Sequence, residues 1–139
     1  MFTEKEQEYL RSQTFGRLAT IGRDGQPHNV PVGFSYNADL GTIDIAGRGM
    51  PDSQKYKNVQ RDDRVALLID DVQGEDHEIV RAIEIKGVAV AARGGKLIRP
   101  HCADEIIRIF PARILAWGID AGIAEGVNSR NVAVHGEAG

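Results

Sequence analysis

The chain has 139 residues and a formal net charge of −3, with 27% charged and 42% hydrophobic residues. This length suits one domain with a single hydrophobic core, and the acidic balance argues against a general nucleic-acid-binding protein, whose surface is basic. No apolar run is long enough to span a membrane, and the N-terminus lacks the layout of a signal peptide. The single cysteine, Cys102, excludes an internal disulfide framework and suits the reducing cytosol. We therefore expect a cytoplasmic protein with no nucleic-acid or membrane partner.

Local signals in the first part of the chain predict a helix followed by three strands. Thr3 and Glu6 match a capping box, which places a helix over Thr3–Gln13. The Asp24-Gly25 pair is a strong hairpin signal, and Pro31 restricts the pairing of the strand that follows, as expected at an edge or a bulge. The predicted strands are Arg17–Ile21, His28–Tyr36 and Thr42–Ala46.

The second part of the chain predicts another helix and further strands. A helical segment covers Ser53–Arg61, and the nearly continuous apolar run Arg64–Asp70 is typical of a strand buried on both faces. Gly87 is expected at a bulge. Small and polar residues without periodicity fill Ala121–Gly139, which we expect to be a flexible tail. The remaining strands are predicted at Ala82–Ala91, Ile106–Phe110 and Ile114–Ile119, with 111–113 joining the last two.

Short strands at regular spacing, with turns between them, indicate a mainly β fold. We expect an antiparallel barrel over residues 1–120, with short helices as accessories and 121–139 as a C-terminal tail. The apolar strand and the isolated Trp117 indicate that such a small barrel completes its burial by dimerising.

The segment from Gly47 to Arg64 carries the clearest sign of a ligand. Asp52 or Ser53 is a suitable N-cap, and the first N–H groups of a capped helix favour an anion such as phosphate. Lys55 and Lys57 lie in the first turn, where the helix dipole disfavours cations. A negatively charged ligand would offset that repulsion. The residues therefore predict a phosphate-bearing ligand without identifying it.

Three segments together resemble the flavin-binding split-barrel family whose best-known member is pyridoxamine 5′-phosphate oxidase. They occur in the family's order and spacing, over roughly the first 120 residues. The segments are Leu18-Ala19-Thr20-Ile21 through Asp24-Gly25-Gln26-Pro27-His28 to Pro31-Val32, Ser53-Gln54-Lys55 through Asn58 to Asp63-Arg64-Val65-Ala66-Leu67-Leu68, and Arg108-Ile109-Phe110-Pro111-Ala112-Arg113-Ile114 to Trp117-Gly118-Ile119.

The resemblance implies an antiparallel split β-barrel that forms a homodimer, with an isoalloxazine-type cofactor in a groove between the subunits. In this family the strand after the Gly-Gln-Pro turn lines the cofactor, and the end of the next strand lies against the ring or its ribityl chain. A basic pair that opens the following helix holds the phosphate. Lys55 matches that pair, whereas Gln54 departs from it. The predicted cofactor-binding residues are Val30, Pro31, Val32, Gly33, Ile45, Ala46, Ser53, Lys55, Lys57 and Asn58.

Departures from the classical oxidase narrow the expected activity. Val30 and Ser35 stand where that enzyme has basic residues, and its basic and aromatic C-terminal substrate segment is missing. Vitamin B6 oxidation is therefore not expected. The small size and the Trp117-Gly118 ending look more like the reductases that use 8-hydroxy-5-deazaflavin, coenzyme F420, with FMN as the alternative cofactor. The acidic oligoglutamate tail of coenzyme F420 would be attracted to Arg48, Lys55, Lys57 and Arg61.

The expected function is that of an oxidoreductase that transfers a hydride from coenzyme F420 or FMN to a small organic acceptor. In such enzymes the cofactor carries the hydride while the protein supplies binding and orientation, so the lack of a catalytic triad does not count against this function. No catalytic side chain is identified, and His77, His101 and His135 lack the spacing of metal ligands. The alternative is a non-catalytic flavin, deazaflavin or tetrapyrrole carrier on the same fold.

Overall fold

The computed structural model describes residues 1–95, 99–120 and 127–132. None of its helices in these ranges combines the length and the apolar character that a membrane crossing requires. The elements in chain order are α1 (Glu4–Ser12), β1 (Phe15–Ile21), β2 (Pro27–Asn37), β3 (Thr42–Ala46), a 3₁₀ turn (Met50–Asp52), α2 (Gln54–Arg61), β4 (Arg64–Gln73), β5 (Ile79–Arg93), β6 (Glu105–Trp117) and β7 (Val127–Asn131).

The strands form one antiparallel sheet in the order β3-β2-β1-β4-β5-β6-β7, and a further pairing of β3 with β6 closes the first six into a barrel. β6 serves two neighbours on the same side. Its first half pairs with β3, from Ile107 to Ile109, and its second half pairs with β7, from Arg113 to Trp117. The barrel therefore splits where β6 leaves β3, and the predicted mainly β, antiparallel split barrel with accessory helices is confirmed.

Apolar side chains from alternate strand positions fill the barrel. In β4, Val65, Leu67 and Ile69 are buried, whereas Ala66 and Leu68 point outward and are half-buried. The prediction that this strand is buried on both faces is therefore wrong for the single chain, because an antiparallel barrel has only one inner face. The largest fully buried side chains are Leu10, Leu18, Ile43, Ile45, Met50, Leu67, Ile69, Ile83, Ile85, Ile106, Ile107 and Ile109.

The closure of the barrel depends on a short ladder with an ion pair in it. β3 and β6 share three residue pairs, and the central one joins Asp44 to Arg108. Arg108 donates from Nε and Nη2 to the two carboxylate oxygens of Asp44, at 3.0 Å each. Thr42 and Asn37 donate to the same carboxylate, which is 4% exposed as a residue. This bidentate arrangement satisfies a buried charge that would otherwise be costly.

Two predicted strands near the end of the barrel are one continuous strand. β6 runs without a break through Pro111, where the sequence predicts a connection. The register between β5 and β6 shifts at Lys86/Gly87, so Gly87 pairs with Pro111 and the predicted bulge at Gly87 is confirmed. A Cβ at Gly87 would clash with the carbonyl oxygen of Phe110. The bulge lets a proline lie inside a long strand, since the regular ladder is already interrupted there.

The C-terminal segment is not wholly irregular. Val127–Asn131 forms β7, which contradicts the expectation of a tail without regular structure for these residues. Arg130 of β7 donates to the buried carboxylate of Glu6 at 2.6 and 2.9 Å, and Glu6 in turn completes the predicted capping box with Thr3. β7 is thereby tied to α1 as well as to β6. Residues 121–126 and 133–139 lie outside the described residues, and the division into 1–120 and 121–139 stays a prediction.

Candidate functional site

A cleft of about 530 Å³ opens beside the ends of β2 and β3. Its volume lies in the ordinary range for a small-molecule or cofactor site. Its walls come from β1 and β2, from the segment between β3 and α2, and from the irregular chain that precedes β6. The lining residues are Phe15, Pro31, Val32, Gly33, Ala46, Gly47, Arg48, Lys55, Arg99, Pro100, His101 and Cys102.

The cleft forms where β2 loses one of its neighbours. β2 pairs with β1 from Pro27 to Gly33, but with β3 only from Gly33 onward. The first half of β2 is therefore an edge, as predicted from its prolines. Pro31 suits this position because proline has no N–H group that would need a partner. Gly33, opposite Ala46, marks the last pair of the β2–β3 ladder. Chain separation beyond this pair leaves the backbone of Pro31 to Gly33 open to the cleft.

The turn between β3 and α2 brings a helix start to the same cleft. Gly49 adopts a φ of 60°, which glycine accepts without strain, and Ser53 is the N-cap of α2. The Ser53 hydroxyl accepts from the Tyr56 N–H at 3.3 Å and donates to the Met50 carbonyl at 2.7 Å. Of the two predicted N-cap candidates, Asp52 and Ser53, Ser53 caps the helix. The N–H groups of Gln54 and Lys55 come first in the helix and have no acceptor within it.

The cations of the cleft have no carboxylate partner among the described residues. Lys55 is half-buried, and burial lowers the pKa of its ammonium group. Neither Lys55 nor Arg48 forms an ion pair within the described ranges, whereas most arginines elsewhere do. Arg48 is exposed, but a partly desolvated, unpaired lysine is unfavourable by itself, so Lys55 favours an anionic ligand in the cleft.

Five of the predicted cofactor-binding residues line the cleft and five do not. Pro31, Val32, Gly33, Ala46 and Lys55 belong to its wall. The cleft wall does not include Val30, Ile45, Ser53, Lys57 or Asn58.

Burial and hydrogen bonds give several of these five another role. Ile45 and Asn58 are fully buried, and Asn58 donates to the hydroxyl of Thr20 at 3.0 Å, which ties α2 to β1. Val30 packs against the core, and Lys57 is exposed. Contacts of these residues with a cofactor stay predictions, and the geometry favours them less than it favours Lys55.

Sequence reasoning missed the third wall, which consists of Arg99, Pro100, His101 and Cys102. Arg99 lies directly over Gly33, which is one of the predicted cofactor-binding residues. No periodicity or motif marks this segment, so local patterns could not place it. In the described part of the chain, no group of three or more His, Cys, Asp or Glu side chains is arranged to hold a metal ion.

A second, mostly apolar groove of about 440 Å³ lies on the outer face of the barrel. It runs across β1, β4 and β5, beside the outward side chains Ala19 and Ala66. Leu68 and Trp117, further along the outer face of the sheet, are half-buried, and Phe15 at the rim of the first cleft is 57% exposed. This outer face therefore combines apolar surface with proximity to the candidate site.

Comparison with known proteins shows strong similarity to a bacterial reductase. A protein of Streptomyces rimosus subsp. rimosus, named 5a,11a-dehydrotetracycline/5a,11a-dehydrooxytetracycline reductase, is 53% identical over 132 residues, which cover 94% of this chain and 93% of the relative.

Solved structures share the fold at lower identity. A heme-binding protein from Mycobacterium smegmatis has a TM-score of 0.67 and 18% identity, and the match covers 94% of this chain but 59% of that protein. An FAD-binding protein from the same species has a TM-score of 0.63 and 20% identity, covering 83% of this chain and 93% of that protein. The family pattern described as pyridoxamine 5′-phosphate oxidase matches residues 2–134. This chain belongs to that family.

Proposed function

We propose that the protein is an oxidoreductase that binds coenzyme F420, or alternatively FMN, in the cleft and transfers a hydride to a small organic acceptor. The observation that carries the proposal is the half-buried, unpaired Lys55 at the start of α2, with the exposed Arg48 lining the same cleft. A phosphate would receive the charge of Lys55 together with the free N–H groups at the helix start.

The apolar part of the cleft suits a flat ring. Pro31, Val32 and the side chain of Ala46 form one wall, with Arg99 covering Gly33 beside it and Arg48 and Lys55 beyond the end of β3. The bound cofactor would supply the hydride. The residues of this chain would bind the phosphate, orient the ring and keep water from the reacting atoms.

Charge favours the deazaflavin over FMN. Coenzyme F420 carries an acidic tail beyond its phosphate, and exposed Lys57 lies on the same helix as Lys55. Arg61 already donates to the Ile21 carbonyl and to Asn58, so Arg48 and Lys57 are the cations that remain available to the tail. FMN would use Lys55 alone and leave these cations in solvent.

The proposed acceptor is an activated carbon–carbon double bond. The relative at 53% identity is named as a reductase of 5a,11a-dehydro compounds. Such a name denotes a compound that has lost two hydrogens and has a double bond between the two carbons that carried them. A hydride adds to such a bond when a conjugated group, such as a carbonyl, takes up the displaced electron pair. We assign this class of acceptor to the present chain without choosing one compound.

We further propose that the protein works as a homodimer in the cytoplasm. The outer face of β1, β4 and β5 offers the second groove and the half-buried Leu68, and Phe15 joins this face to the cleft. A partner packed there would cover apolar surface and add a second wall beside the cofactor.

Side-by-side calorimetric titrations with FMN and coenzyme F420 test the assignment. We expect tight binding of coenzyme F420, and loss of about tenfold or more in affinity for Lys55→Gln, equivalent to one charge-assisted hydrogen bond. Lys57→Gln, on the same helix, should leave FMN affinity unchanged and lower only the affinity for coenzyme F420, because Lys57 is proposed to meet the acidic tail.

Tight binding of FMN alone would move the protein to the flavin branch of the proposal. Tight binding without turnover of any acceptor would favour the non-catalytic carrier. Absence of binding for both cofactors would remove the redox function.

A further inference from the structure

Two kinds of contact fix the position of Arg99 in the wall of the cleft: backbone hydrogen bonds of its segment, and contacts of its guanidinium with β1 and β2. Its N–H donates to the Gly95 carbonyl at 3.0 Å, and its carbonyl accepts from Cys102 at 3.2 Å. The following residue, Ala103, donates to the Gly47 carbonyl at 3.1 Å, which fastens this segment to the end of β3. The segment is irregular, but three backbone hydrogen bonds fix its position.

The guanidinium lies flat over the open backbone of β2. A Cβ built on Gly33 would lie 2.7 Å from Nη2, 2.9 Å from Cζ and 3.0 Å from Nη1 of Arg99. These nearly equal distances mean that the face of the guanidinium, not its edge, meets Gly33. Cζ of Arg99 also lies over the Phe15 ring, 6.0 Å from its centroid. The planar cation therefore lies close to both a glycine and an aromatic ring, within the wall of the cleft.

Arg99 also lacks a carboxylate partner, unlike most other arginines of the protein. Arg17, Arg64, Arg81, Arg93, Arg108 and Arg130 each lie within ion-pair distance of an Asp or Glu. Within the described ranges, Arg99 has no such partner and no hydrogen-bond acceptor for its guanidinium. Its N–H donors are thus available to a ligand oxygen.

The cleft therefore presents cations on two different walls. Arg48 and Lys55 follow β3, whereas Arg99 lies against β1 and β2. The phosphate of the cofactor would be held by Lys55 and the start of α2, with Arg48 available to the acidic tail. Arg99, on the other wall, remains available to an oxygen of a second molecule. In the proposed function that second molecule is the acceptor.

We propose that Arg99 binds the carbonyl oxygen of the acceptor and stabilises the negative charge that develops on it during reduction; this inference rests on the proposed function. The hydride forms a C–H bond at the far carbon of the double bond, and the π electron pair moves onto the carbonyl oxygen as an enolate. The cofactor is oxidised by two electrons, and the enolate then takes a proton from water at the carbon next to the carbonyl. A preorganised guanidinium at that oxygen lowers the barrier because it meets charge that is larger in the transition state.

The test compares Arg99→Gln, Arg99→Lys, Lys55→Gln and wild type in three measurements. These are calorimetric affinity for the cofactor, calorimetric affinity for oxytetracycline without cofactor, and the single-turnover rate of reduction of 5a,11a-dehydrooxytetracycline at saturating reduced cofactor. Oxytetracycline serves as a probe because it carries the carbonyl and enol oxygens of a reduced product.

For Arg99→Gln we expect the single-turnover rate to fall about 10²-fold, as when one oxyanion donor is removed. Affinity for oxytetracycline should fall about tenfold, and cofactor affinity should stay within about threefold of wild type. Lys55→Gln should lose cofactor affinity, while its affinity for oxytetracycline and its single-turnover rate at saturating cofactor should stay close to those of wild type. Arg99→Lys keeps the charge without the planar fork and should recover part of the rate. Arg93→Gln, at the end of β5 and paired with Asp104, is the matched control and should change none of the three.

The inference is overturned if Arg99→Gln reduces the acceptor at the wild-type rate, or if it loses cofactor affinity as Lys55→Gln does. Failure of wild type to bind either cofactor would instead defeat the proposed function. In that case the oxytetracycline titration still decides about Arg99, since equal affinities in wild type and Arg99→Gln contradict its role. Arg99→Lys supplies the same comparison if Arg99→Gln does not fold.

Discussion

Lys55 combines two properties that oppose each other in a protein without ligand. Its ammonium group is half-buried, and burial lowers its pKa because the charged form loses hydration. The same burial strengthens its attraction to a phosphate, since less water screens the pair. The start of α2 is thus better suited to a bound anion than to an empty site.

The lowered pKa predicts how cofactor binding depends on pH. The protonated amine binds phosphate, and it loses its proton at a lower pH than an ordinary lysine. Affinity for the cofactor should therefore fall as pH rises through that lowered value. Lys55→Arg stays charged and should remove this fall. Calorimetric titration from neutral to alkaline pH checks both, and a wild-type affinity that does not change with pH would contradict the role of Lys55. Arg48, Arg99 and His101 share the cleft, so the comparison with Lys55→Arg isolates Lys55.

At the scale of elements, the closure between β3 and β6 is a short ladder of three residue pairs, as is the ladder between β1 and β4. Removing the Asp44 carboxylate would leave Arg108 without its bidentate partner in a mostly buried position. We expect Asp44→Ala to lower the free energy of unfolding by about 3 kcal/mol. Urea denaturation measures this change. Asp62→Ala, which breaks an exposed Arg64 pair, is the control and should have a much smaller effect. Equal losses in the two variants would show that the closure does not depend on the ion pair.

Elements set by local chemistry were predictable, and those set by distant contacts were not. The α1 capping box, the strand Thr42–Ala46 and the Ser53 start of α2 follow from a few neighbouring residues. β7 is short and polar, and it exists because its backbone pairs with β6 and Arg130 reaches Glu6. Arg99 lies in the cleft because backbone hydrogen bonds hold its segment there, including the bond from Ala103 to Gly47. A sequence pattern cannot show such contacts, which explains why half of the site was found and one wall was missed.

At the scale of the whole molecule, the outer face of the barrel is where a second copy would add to the site. Leu68 lies on this face of β4, next to Arg17 and Glu84. Leu68→Glu places a third acidic group beside Asp70 and Glu84 and should separate a dimer without entering the core. Sedimentation should show a dimer for wild type and a monomer for Leu68→Glu, with weaker cofactor binding. A wild-type monomer with full cofactor affinity would contradict the proposed dimer.

The proposed function depends on one chemical event, the transfer of a hydride from the cofactor to the acceptor within the cleft. Reduced coenzyme F420 labelled with deuterium at its donor carbon would be mixed with the protein and 5a,11a-dehydrooxytetracycline, and the product examined by NMR and mass spectrometry. We predict one deuterium at a single carbon of the former double bond, at a rate that falls in Lys55→Gln when the cofactor is below saturation and recovers when it is saturating. A protein that binds the labelled cofactor tightly, yet leaves the acceptor unlabelled and unreduced, would contradict the proposed reductase function.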